Sequence, residues 1–81
     1  MATQFEQLAE IRRAAYKAAA IAESAWAHEL ERVYGSKACD ARYDSKRNAA
    51  TPTLAALYEI KNKACDVWHA SYTACRAARD V

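Results

Sequence analysis

Residues 42–61 read RYDSKRNAATPTLAALYEIK, and this stretch decides the fold. It opens with basic and acidic residues around a tyrosine and closes as a run of helix formers, with the chain's single proline, Pro52, between the two. Thr51-Pro52 is a helix start. The threonine hydroxyl can accept from a first-turn amide, and proline at the first helical position is preorganised and has no needed donor to lose. A helix begins at about residue 52, so whatever precedes it is a separate element.

Working back from that start, Thr3 followed by Glu6 has the spacing of a capping box. Helix formers then run unbroken to Tyr34, and Gly35, the only glycine, stands where a helix C-terminus needs a residue free of Cβ strain. The chain therefore reads as a single helical-hairpin domain over residues 1–81, with helices at about 4–34 and 52–79 joined by a linker at 35–51. The linker is long for a helical hairpin. Its residues 37–43 contain good helix formers, so a short third helix and an irregular loop are both open readings.

Composition agrees with an all-α antiparallel hairpin. Of the 81 residues, 53% are hydrophobic, but 21 are alanine, while Leu, Ile, Val, Phe, Met and Trp together supply only 14. Alanine buries little area, and burial is worth ~25 cal/mol per Å² of apolar surface. The core is thin for the chain length, which favours a staple or a partner chain. One glycine and one proline are too few for a β-rich fold.

Charge is nearly balanced, 12 basic against 10 acidic residues for a net +2, and the positive excess sits mainly in residues 35–50. That balance argues against nucleic acid as the main partner. The three cysteines, Cys39, Cys65 and Cys75, contain no CxxC pair, so reduced thiols and a cytoplasmic location are expected. No apolar run approaches a membrane span and no signal-peptide pattern is visible, so no membrane role is expected.

On the first helix, Leu8, Ile11, Ala15, Ala18, Ala22, Ala25, Trp26, Leu30 and Val33 form a stripe with alternating three- and four-residue spacing, as in a coiled-coil seam. On the second, the stripe is Leu57, Ile60, Ala64, Val67, Trp68, Ser71, Ala74, Cys75 and Ala78. Small residues on both allow close helix approach, and Ala18→Leu or Ala22→Leu is expected to overpack the seam. Aromatic strips remain beside it: Phe5, Tyr16 and Trp26 on one helix, Tyr58, Trp68 and Tyr72 on the other. They call for cover, and a homodimer with a four-helix arrangement supplies it. The pattern leaves the hairpin register open.

Chemistry-bearing motifs are sparse. His28 and His69 have no HExxH-type spacing, no cysteine pair has zinc spacing, and one glycine cannot build a phosphate loop. The bland reading of the histidines is surface or interface, and of Cys65 and Cys75 small apolar filler. No enzyme, metal or cofactor is expected. The suggestive residues are aromatic and basic, types enriched at interface hot spots. Arg42, Tyr43, Lys46 and Arg47 form a linker patch, and Tyr58 and Tyr72 a helix-borne pair, all candidates for partner binding. A solvated loop is the bland reading of the linker patch, with no structural reason for Arg42–Asn48 evident.

Arg42-Tyr43-Asp44, then Thr51 to Leu57, then Trp68-His69 trace the pattern RYD…TPxLAAL…K…A…WHA…R. Over roughly the second half of the chain it resembles small alanine-rich helical accessory proteins of unassigned role from tailed bacteriophages. That resemblance carries over no functional residues. It implies a class in which many members bind and inhibit a host protein or defence complex. The leading expectation is thus an interaction protein acting on a host protein. A self-associating structural or assembly protein comes next, and a nucleic-acid binder is less favoured.

Overall fold

A computed structural model describes residues 3–80. Helix α1 spans Gln4–Tyr34, a 3-10 turn spans Gly35–Lys37, α2 spans Ala38–Ala41, α3 spans Ser45–Asn48 and α4 spans Pro52–Arg79. No strand occurs among the described residues. The ends of the long helices lie where capping chemistry puts them. Thr3 Oγ1 accepts from the Glu6 amide at 3.1 Å, and Thr51 Oγ1 from the Leu54 amide at 3.0 Å. Gly35 takes φ +58, ψ −126, a conformation that strains any residue bearing a Cβ, while its amide still donates to the Glu31 carbonyl.

The two long helices pack along their length as an antiparallel hairpin. The molecule measures 48 × 20 × 18 Å, with a radius of gyration of 15.9 Å. A compact chain of this length would have about 12 Å, so the hairpin is a rod. Its core lies at the linker end, where Trp26, Leu30, Ala41 and Leu54 are buried and Tyr34, Ala38, Leu57 and Tyr58 pack against them. Toward the open end the interface thins to small residues, Ala9, Ala15, Ala19 and Cys75.

The seam is rotated from the expected one. Its α1 line runs through Leu8, Arg12, Ala15, Ala19, Ala22, Trp26, Leu30 and Val33. Its α4 line runs through Leu54, Leu57, Lys61, Ala64, Trp68, Ser71, Cys75 and Ala78. Leu8, Ala15, Ala22, Trp26, Leu57, Ala64, Trp68 and Ser71 lie on these lines, buried or half-buried. Ile11, Ala18, Ala25 and Ile60 do not: all four are exposed, Ile11 at 56% and Ile60 at 54%. Tryptophan decides the rotation. Trp26 is 3% exposed and shares a helix line with Ala19 and Arg12. Turning α1 to bury Ala18 and Ala25 would lift this large ring toward water and forfeit far more apolar area than two alanines recover. On α4 the matching line admits Lys61, which is half-buried with its ammonium 4.3 Å from the Trp26 ring centroid, a cation–π contact that suits a cation at the core edge.

The linker is more ordered than a loop. Where one short helix at 37–43 was an open reading, it forms two, α2 and α3. Asp44 starts the second, its carboxylate accepting from the amides of Lys46 at 2.9 Å and Arg47 at 3.4 Å.

Candidate docking surface

The linker patch has a structural reason after all, and it centres on Asn48. This side chain is 1% exposed. Its Oδ1 accepts the indole N–H of Trp26 at 2.7 Å. Its Nδ2 faces the carbonyls of Asp44 at 2.9 Å, Ala41 at 3.0 Å and Arg42 at 3.3 Å. The amide orientation is unambiguous, because indole only donates and carbonyls only accept. One side chain therefore satisfies the buried tryptophan N–H and ties together three carbonyls of the α2–α3 turn; those of Ala41 and Asp44 also accept the backbone amides of Asp44 and Asn48, so it is the Arg42 carbonyl and the indole N–H that depend on it. The Tyr34 hydroxyl adds a second tie, donating to the Arg47 carbonyl at 2.6 Å.

The four basic and aromatic linker residues consequently separate. Arg42 packs back onto the chain, its guanidinium 5.0 Å from the Trp26 ring centroid and 3.2 Å from the Glu23 carboxylate. Arg47 lies 3.5 Å from the Asp44 carboxylate. Only Tyr43, 91% exposed, and Lys46 project outward without such a contact among the described residues. Tyr58 also turns inward, its ring 5.9 Å from that of Trp26, with the Lys61 ammonium over both rings at 4.8 Å and 4.3 Å.

A different surface gathers at the open half of the hairpin. The Tyr16 and Trp68 rings meet edge-on at 5.5 Å, and the Arg12 guanidinium lies 5.9 Å from the Tyr72 ring. The residue numbers of each cross-hairpin pair, Trp26 with Tyr58, Tyr16 with Trp68 and Arg12 with Tyr72, add to 84, which defines the register. Around Tyr16, Trp68 and Tyr72 lies an open groove of about 760 Å³ with Ala14 and Ala20 in its walls and Arg12, Arg13 and Lys17 at its margin. A dimple of about 130 Å³ continues it past Arg12 and Tyr72 to Phe5, Arg76 and Arg79.

Sequence reading named Tyr72 for partner binding but not Tyr16, Arg12, Arg13 or Lys17. The signal was present. Tyr16 and Trp26 are ten residues apart, as are Tyr58 and Trp68, so one antiparallel register closes both aromatic pairs at once.

The groove's lining offers aromatic rings, guanidinium groups and an ammonium group, and no histidine, cysteine, serine or carboxylate. His69 lies exposed with its ring 5.1 Å from Trp68, and His28 is exposed on α1. No group of three or more His, Cys, Asp or Glu is placed to hold a metal among the described residues. Cys75 is buried, Cys65 half-buried and Cys39 exposed, all as free thiols. Away from the groove, the hydrogen bond from Arg32 holds the Glu29 carboxyl below its usual range. No described helix is long and apolar enough to cross a membrane.

In comparisons with protein-family models, curated proteins and solved structures, nothing matches this chain.

Proposed function

We propose that this chain is a non-enzymatic protein-interaction module that binds another protein through the aromatic groove of its helical hairpin. The observation that carries the reading is the convergence of Tyr16, Trp68 and Tyr72 on one open, cation-margined groove. Aromatic and arginine side chains are the residue types that dominate binding energy when a partner desolvates them. The phage likeness adds a host protein or defence complex as the partner, with inhibition or redirection as the effect. The test is capture from bacterial lysate by the tagged, folded chain, followed by mass spectrometry. A stoichiometric protein partner is expected, and its absence contradicts the reading.

A second reading, self-association, draws on the other flank of the hairpin. Ile11 and Ile21 on α1 and Ile60 and Val67 on α4 are exposed. Helix geometry puts them on the side of the seam away from Tyr16 and Tyr72. A homodimer covering this flank would leave the groove free, so both readings can hold in one molecule. Light scattering separates the outcomes: a closed dimer fits the interaction module, and large open assemblies favour a structural role.

A further inference from the structure

We infer that the groove takes an acidic amphipathic helix of the partner protein; this deepens the interaction-module reading, on which it rests, by naming the partner's chemistry. Charge is the first ground. The groove and the dimple that continues it are lined by Arg12, Arg13, Lys17, Arg76 and Arg79, and neither by any of the chain's ten acidic residues. Arg79 has Asp80 at 3.5 Å, whereas the other four form no ion pair among the described residues. A chain of net charge +2 thus concentrates unpaired cations around one apolar trough. Facing carboxylates would steer and orient a partner there.

Shape is the second ground. From Phe5 to Ala20 the trough follows α1 for about 22 Å at 1.5 Å per residue, some four helical turns. It runs beside two helices whose backbone bonds are internal, so an extended peptide would find no strand edge to pair with. A helix brings its own backbone bonds and needs only an apolar face to lay in the trough. Nucleic acid fits less well. Base stacking wants open ring faces, but Trp68 has the Tyr16 ring edge-on and the His69 ring beside it, and Arg12 stands over Tyr72.

The experiment titrates the full chain against three labelled probes and reads fluorescence anisotropy. The first is a synthetic amphipathic helix of about 15 residues, matched to the trough length, with leucines on one face and glutamates on the other. The second is the same peptide with lysines for glutamates. The third is single-stranded oligothymidine. The glutamate peptide should bind best and weaken as salt rises. Arg13→Glu with Lys17→Glu, both exposed, should leave helicity unchanged, cut that binding roughly tenfold or more, and improve binding of the lysine peptide. Equal binding of the two peptides, tighter binding of the oligonucleotide, no peptide binding, or an unaffected double variant overturns the inference. The broader reading is judged separately. If the folded wild-type chain captures a stoichiometric protein that the Arg13→Glu, Lys17→Glu variant still holds, the groove assignment falls while the interaction module stands.

Discussion

Asn48 is the residue on which the linker turns, and it shows what a single buried polar side chain can organise. Replacing it with alanine orphans the Trp26 N–H and at least one backbone carbonyl. A buried unpaired donor costs about 1–3 kcal/mol by itself, so Asn48→Ala should lower stability by at least that much in urea melts. Asn48→Asp should be worse at neutral pH, since its carboxylate would face the carbonyls of Ala41, Arg42 and Asp44. Tyr43, five residues away and almost fully exposed, is the contrast: Tyr43→Ala should stay within about 0.5 kcal/mol of the wild type. Equal effects at the two positions would mean that the linker is not held by Asn48. None of this was legible in the sequence. Asn48 reads there as one more polar residue in a charged stretch, because its burial depends on where α2 and α3 fold back, not on local pattern.

At the scale of elements, the helix ends were legible and the helix rotation was not. Thr3, Gly35 and the Thr51-Pro52 pair act within a few residues of themselves, so sequence suffices to place both long helices. Gly35→Ala should cost about 1–3 kcal/mol from backbone strain alone, since an added Cβ would meet nothing within 4 Å. Rotation depends instead on which face the other helix offers. Ile11 looked a better seam residue than Arg12, yet it is Arg12 that shares the line of Trp26. The seam assignment yields a paired prediction. Ala19→Leu, in the buried line, should destabilise by about 1–3 kcal/mol through overpacking. Ala18→Leu, one residue over and exposed, should change stability by no more than about 0.5 kcal/mol in the monomer. If Ala18→Leu proves the costly one, either α1 is turned the other way or the Ile11 flank is covered by a second copy.

For the whole molecule, the hairpin is a thin rod whose buried core is concentrated at one end, leaving the open half to present side chains. The register that puts Trp26 against Tyr58 necessarily puts Tyr16 against Trp68 and Arg12 against Tyr72. The same geometry that builds the core therefore builds the groove. The linker patch, by contrast, spends most of its side chains on holding the chain together. The central claim is that the open-half groove, and not the linker, makes contact with another protein. It is tested by comparing what three tagged proteins hold from bacterial lysate: the wild type, Tyr16→Ala with Tyr72→Ala, and Tyr43→Ala with Lys46→Ala. All three should show the same helicity by circular dichroism. The account predicts one stoichiometric partner held by the wild type and the linker variant and lost by the groove variant. Retention by the groove variant with loss by the linker variant would contradict it.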